Sequence, residues 1–158
     1  TVSTSGVIPG IRNFADIPEQ FTLAVSLHSA IQSTRNKLMP GVKKYTLLRL
    51  HEALQLYTEK TGRRPTYEYA MIEGVNDTNP EMQALCDFCE GTLCHVNLIQ
   101  LNDIEGSPLK PSPIHKVENL QRRLESRGIE TTIRNSRGND IDAACGQLKQ
   151  RFKVQKNA

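Results

Sequence analysis

Apolar and polar residues along this chain switch repeatedly between the two-residue period of a strand and the 3.6-residue period of a helix. Val2 to Ser5 alternates β-branched and polar side chains and stops at Gly6, which predicts the end of a strand followed by a loop through Pro9 and Gly10. Arg12 to Ile17 is expected to form one helical turn before Pro18. Thr22 to Ser26, continuing into Leu27 and His28, reads as a second strand, and its apolar continuity predicts burial on both faces. Ala30 to Leu38 predicts a short helix stopped by Pro40 and Gly41. Leu47, Leu50, Leu54 and Tyr57 recur at helical spacing, and Gly62 closes that helix. Thr66 to Ile72 is the third strand. A helix starts near Asn79-Pro80, with proline suited to its first turn, and His95 to Leu101 is the fourth strand. Residues 102–115 form a Pro/Gly/Ser-rich loop of a length that usually marks a lid or a mobile segment. A helix from about His115 to Ser126 turns Val117, Leu120 and Leu124 inward and leaves Arg122, Arg123 and Arg127 on or near its outer side. The run Ile129 to Ile133 is the fifth strand.

Strands alternating with helices imply an α/β fold: about five mainly parallel strands joined by right-handed βα units. In such sheets the working groups sit where strands end and loops begin. Polar residues collect at those ends: Ser3 and Ser5, Ser26 and His28, Asn76 and Asp77, Asn102, and the segment from Arg134 to Cys145. Any one of them is ordinary, His28 as a hydrogen-bonded structural histidine and Asn102 as a turn residue. Their convergence on one rim is the argument for a site.

A chain of 158 residues, 37% hydrophobic and 23% charged, supports one domain with a usable core. No apolar run is long enough to span a bilayer, and aromatics at 5% with no tryptophan argue against stacking platforms for single-stranded nucleic acid. The net charge of +3 hides an asymmetry: residues 110–158 carry 11 basic and 5 acidic side chains, whereas residues 1–109 carry 9 and 12. A basic C-terminal third suits a polyanion such as RNA, with a solvated helix face plus a Lys/Arg tail as the plainer explanation.

The four cysteines, without a secretion signal, read as reduced thiols. Cys86, Cys89 and Cys94 have a spacing that suggests a metal site, but a closed zinc site wants a fourth ligand, so we read them as structural. Cys145 stands apart. Ala143 and Ala144 precede it and Gly146 follows, so a substrate could approach the sulfur closely, while Arg134 and Arg137 could lower its pKa and hold phosphate. The opposing reading is a small buried hydrophobe beside surface charges. A cysteine-nucleophile hydrolase using Cys145 with His28 is a further possibility, unsupported by strand order.

The segments Val2-Ser3-Thr4-Ser5-Gly6, Ser26-Leu27-His28, Tyr67-Glu68-Tyr69, Asn97-Leu98-Ile99 and Gly138-Asn139-Asp140-Ile141-Asp142-Ala143-Ala144-Cys145-Gly146-Gln147-Leu148 resemble, in the same order, the C-terminal half of the RlmN/Cfr family. These are radical S-adenosylmethionine RNA methyltransferases that modify adenine. The resemblance implies a partial (β/α) radical-SAM barrel, of which residues 1–148 would be the C-terminal part and 149–158 a basic tail. It implies S-adenosylmethionine contacts at Ser3, at Ser26, Leu27 and His28, and at Asn102, and it places the methyl-carrying cysteine at Cys145.

The implied chemistry has two stages. One S-adenosylmethionine methylates the Cys145 thiolate by displacement. A second is cleaved reductively at a 4Fe–4S cluster to a 5′-deoxyadenosyl radical, which takes hydrogen from the S-methyl group. The carbon radical then adds to carbon 2 of adenine in 23S rRNA, with transfer RNA as a further substrate in some members, and a second cysteine resolves the protein–RNA crosslink. Carbon 2 is electron-poor and does not attack a sulfonium, which is why a radical route is needed. The family's cluster motif and its resolving cysteine fall upstream of Thr1. The expectation is therefore a cytoplasmic fragment that lacks the cluster ligands, depends on an external reductant in its parent protein, is inactive alone and is prone to self-association through an exposed sheet edge. A cluster-free RNA-binding module using the basic C-terminal third is the alternative.

Overall fold

The computed structural model describes residues 1–103 and 106–134. Its strands are β1 (Val2–Thr4), β2 (Leu23–Ser26), β3 (Thr66–Met71), β4 (His95–Gln100) and β5 (Glu130–Arg134). They form a single sheet in the order β1-β2-β3-β4-β5, and every neighbouring pair is parallel. The expected α/β architecture is what the chain adopts. Because each crossover steps in the same direction, right-handed connections place all the helices on one face of the sheet.

Five α-helices fill those crossovers: α1 (Ile8–Phe14), α2 (Gln32–Leu38), α3 (Leu47–Thr61), α4 (Asn79–Cys89) and α5 (Ile114–Glu125), with a short 3-10 turn at Pro40–Val42. The first departs from the sequence reading, which places a loop through Pro9 and Gly10 and a turn from Arg12. Proline lacks an N–H that the first helical turn does not need, so Pro9 opens the helix rather than preventing it. The longest helix, α3, has both expected ends. The Thr46 side chain accepts from the Arg49 N–H, and Gly62 adopts φ 65° just beyond the last turn.

Side chains alternate across the pleat, and the sheet uses its two faces differently. Tyr67, Tyr69 and Met71 of β3, with Val96 and Leu98 of β4, are buried against the helices. They join Leu50, Leu54 and Tyr57 of α3, Leu85 of α4 and Leu120 and Leu124 of α5 in one continuous core. Burying each such side chain contributes roughly 1.5–3 kcal/mol. The expectation of two buried faces holds for β2, where Leu23, Ala24 and Val25 are all buried. In β3 and β4 alternate positions are only half-buried.

Two buried polar side chains tie the strand ends together. Asn76 accepts the Ile72 N–H at 2.7 Å and donates to the His28 carbonyl at 2.6 Å and the Ala70 carbonyl at 2.7 Å. Asp77 accepts from the Gly74 N–H at 2.8 Å, from the Ser112 hydroxyl at 2.8 Å and from Lys116 Nζ at 2.9 Å. The sequence reading groups both with the rim's working residues, but their hydrogen-bonding capacity goes to backbone and loop. Asp77 also fixes the far half of the long loop, where Pro111 bridges Ile72 and Glu73 N donates to the Lys110 carbonyl at 2.9 Å.

Replacing Asn76 with Ala leaves one buried and two part-buried backbone groups without their partner, so urea unfolding should show a loss of about 2–4 kcal/mol with little change in m-value. Gly6 adopts φ 92°, and a methyl group placed on its Cα would come within 2.8 Å of Arg35 Nη2, so Gly6→Ala should cost more than about 1 kcal/mol in the same assay.

Candidate cofactor site at the strand ends

Parallel strands bring all five C-terminal ends to one edge, where β5 ends at Arg134 and the residues after Thr4, Ser26, Met71 and Gln100 leave the sheet. Strand register fixes which side chains share the face turned away from the helices. Ser26, Glu68, Asn97 and Thr132 lie in one lateral row, and Ser3, Ala24, Thr66 and His95 lie in the next. Ser3 and Ser26 therefore stand on the same face, one pleat step apart.

The row is wired. Asn97 Nδ2 donates to Glu68 Oε2 at 2.8 Å, Thr132 Oγ1 donates to Asn97 Oδ1 at 3.2 Å, and His95 Nε2 lies 3.2 Å from Thr132 Oγ1. Burial, and then the Arg64 charge, hold the His95 pKa below its ordinary value. In the sequence, Glu68 and Asn97 stand out only as parts of longer matching segments. A signal for them is nevertheless present: polar residues at every second position of Thr66-Tyr67-Glu68 and of His95-Val96-Asn97 mark a polar face.

At the end of β2 the backbone turns sharply. Leu27 and His28 donate their N–H groups to the Glu68 carbonyl at 3.0 and 3.3 Å, and His28 adopts φ 55°. A positive φ is costly for a residue with a Cβ. Here it is held by Asn76 on the His28 carbonyl and by the Ala70 N–H, which donates to His28 Nδ1 at 3.1 Å. With Nδ1 accepting, the neutral imidazole carries its proton on Nε2, the nitrogen left available as a donor. Burial, and then the Arg35 charge, keep the His28 pKa below its usual value. Arg35 is itself fully buried, donating from Nη2 to the Ser5 carbonyl at 2.8 Å and reaching the Ser26 carbonyl at 3.5 Å, so it clips the ends of β1 and β2 together.

Asn102, just past β4, is half-buried, and its Oδ1 is shielded from solvent with no hydrogen-bond partner among the described residues. A buried orphan acceptor is costly unless something donates to it. Ser26, Leu27 and His28 lie at the C-terminal end of β2 and Asn102 lies just past the end of β4, whereas Ser3 shares a lateral row with Thr66 and His95, the first residues of β3 and β4. Cys145, like Arg137, lies outside the described residues; Arg134, at the tip of β5, is exposed.

The remaining cysteines sit at the opposite end, where α4 stops and β4 begins. All three are buried. Cys89 and Cys94 influence each other: the Cys89 thiol holds the Cys94 pKa below the ordinary thiol value, while Cys94, and then burial, push the Cys89 pKa up. Among the described residues no group of three or more His, Cys, Asp or Glu side chains could hold a metal ion. The 4Fe–4S cluster of the resembling family does not fit these residues.

No family model matches the chain. A probable dual-specificity RNA methyltransferase RlmN from Alkaliphilus oremlandii is 44% identical over 151 residues, which is 96% of this chain and 44% of the relative. A protein of the same description from Clostridium perfringens is 43% identical over 152 residues. Over nearly its whole length this chain is similar to a part of RlmN. A crystal structure of a radical SAM methyltransferase from Sphaerobacter thermophilus superposes with a TM-score of 0.87 at 43% identity, covering 92% of this chain and 43% of that one. A domain of a pyruvate-formate lyase-activating enzyme from Bacteroides vulgatus, at 16% identity and a TM-score of 0.59, shares the fold alone. The chain spans less than half the length of the RlmN relatives it matches.

S-adenosylmethionine fits the rim. It offers amino, ribosyl and adenine donors for the Asn102 acceptor, and the Ser3 and Ser26 hydroxyls make no side-chain hydrogen bonds among the described residues. Because the folded His28 pKa lies below the unfolded value, its contribution is fully present above about pH 6.5 and is lost as pH falls toward the folded pKa. His28→Asn keeps an acceptor for the Ala70 N–H and tolerates positive φ, so it should fold while flattening the fall in stability below about pH 6.5. His28→Val should lose about 2–3 kcal/mol, read by urea unfolding at pH 7.5.

Proposed function

We propose that this chain is the C-terminal part of a radical S-adenosylmethionine methyltransferase that places a methyl group on carbon 2 of an adenine in 23S rRNA, with transfer RNA as a second substrate. The supporting observation is the 44% identity to an RlmN protein across nearly the whole chain. Ser26 and His28 at the end of β2, and the Asn102 acceptor past the end of β4, which has no partner among the described residues, support a candidate site for that likeness.

In this reading the rim residues bind and orient S-adenosylmethionine. The Ser3 and Ser26 hydroxyls serve its ribose and amino-acid oxygens, the Leu27–His28 turn offers backbone and the His28 Nε2–H, and Asn102 accepts from a cofactor N–H or O–H. Burial keeps His28 neutral, so it donates one hydrogen bond without adding a positive charge beside a sulfonium. The Cys145 thiolate receives the first methyl group and carries it to the base. A 4Fe–4S cluster with an external reductant would supply the electron for the radical stage, held by residues other than the described ones. The flipped adenine would sit under the loop from Asn102 to Pro113, whose far half is anchored by Asp77. The parent protein would work in the cytoplasm; no described helix is long and apolar enough to cross a membrane.

The alternative, a cluster-free RNA-binding module built on the basic C-terminal third, has less to stand on. Within that third Lys110 pairs with Asp103, Lys116 with Asp77 and Arg127 with Asp87, while Arg123 bonds Gln83. In the full-length protein that carries this chain, Cys145→Ala should abolish methylation of a 23S rRNA fragment, measured by transfer of labelled methyl, while S-adenosylmethionine binding persists. Normal product formation by that variant would refute the assignment.

A further inference from the structure

A second group of cations, outside the C-terminal third, makes no ion pair among the described residues. From Gln20 to His51 the chain contains no aspartate or glutamate, yet it carries Arg35, Lys37, Lys43, Lys44 and Arg49. Arg35 is buried, whereas the other four are exposed and make no ion pair among the described residues. Lys44 lies over the Tyr45 ring, 5.1 Å from its centroid, which leaves its charge unneutralised.

Topology puts this run at the rim. It leaves the C-terminal end of β2 immediately after His28, passes through α2 and the Pro40–Val42 turn, and enters α3, which runs back down the sheet. The first turn of α3, with Arg49, therefore sits at the same end as Ser26 and His28. The segment is held in shape: Gln32 Oε1 accepts the Leu47 N–H at 2.6 Å, tying the start of α2 to the start of α3, and Val42 is buried beneath. Four unneutralised cations with no carboxylate among them form a lasting positive field that favours a polyanion. Leu48, 70% exposed between Lys44 and Arg49, is an isolated apolar side chain and gives no broad face for a membrane.

We propose that Lys37, Lys43, Lys44 and Arg49 grip the sugar–phosphate backbone of RNA beside the strand-end site. The proposal rests on the reading of the parent protein as an RNA methyltransferase and names the surface that would hold its substrate. Contacts of this kind set register and orientation but carry no sequence information, so base choice is left to the site itself.

The test uses the full-length protein that carries this chain, as wild type and as K37Q/K43Q/K44Q/R49Q. Each is titrated against a fluorescein-labelled 23S rRNA hairpin by anisotropy over a series of potassium chloride concentrations. The variant should bind at least tenfold more weakly at low salt, and its slope of log K against log salt should be shallower by about three to four, roughly one for each lost contact. Its S-adenosylmethionine binding by equilibrium dialysis and its thermal melting should match wild type, and K37R/K43R/K44R should retain wild-type RNA affinity. Equal affinity and slope in wild type and the quadruple variant would overturn the assignment of this face while leaving the RNA reading intact. An equal loss per charge from Arg122→Gln would overturn it as well, since any surface cation would then serve. Absence of RNA binding by the wild type would overturn the RNA reading together with this proposal.

Discussion

The rim depends on the side-chain amide of Asn76. Its oxygen and both its amide hydrogens go to three backbone groups, one on the turn after β2 and two at the end of β3. A buried amide satisfied this fully is rigid, because any rotation breaks several bonds where water cannot replace them. The His28 backbone is thereby kept in a conformation that its Cβ disfavours, and the imidazole is turned so that one nitrogen meets the Ala70 N–H. The geometry of the turn after β2 is set by a side chain from the loop after β3.

Charge placement follows a similar division. Along α5 the arginines reach across to α4, where Arg123 meets Gln83 and Asn79 and Arg127 meets Asp87 and Glu90. These exposed pairs contribute little stability each, but they offset part of the positive charge that the described residues of the C-terminal third carry. Lys37, Lys43, Lys44 and Arg49, in the acid-free run from Gln20 to His51, make no ion pair among the described residues.

Much of the fold was legible in the sequence because strand and helix periods are local. The five strands and their alternation with helices follow from residues a few places apart, and with all-parallel pairing they suffice to place Ser26 and His28 at the end of β2 and Asn102 past the end of β4. What could not be read depends on distant pairs. Asn76 and Asp77 look like strand-end working residues until their partners His28, Ser112 and Lys116 are seen. Arg35 looks like a surface cation on a short helix, although it is enclosed beneath the ends of β1 and β2. The start of α1 escapes the sequence for another reason: a Pro-Gly pair reads as a turn, yet proline is equally at home in a first helical turn. Cys145, the most specific part of the sequence resemblance, lies outside the described residues, so its place relative to the rim rests on the likeness alone.

The pleat of β3 and β4 has an evolutionary consequence. Tyr67, Tyr69, Val96 and Leu98 answer to the helices, while Glu68 and Asn97, their immediate neighbours in the chain, answer to the opposite side. Foldability and reactivity are thus written on interleaved but physically separate alphabets. A lineage could rewrite the second to accept a different small molecule without disturbing the first, and one scaffold could diversify its chemistry by point changes at every other letter.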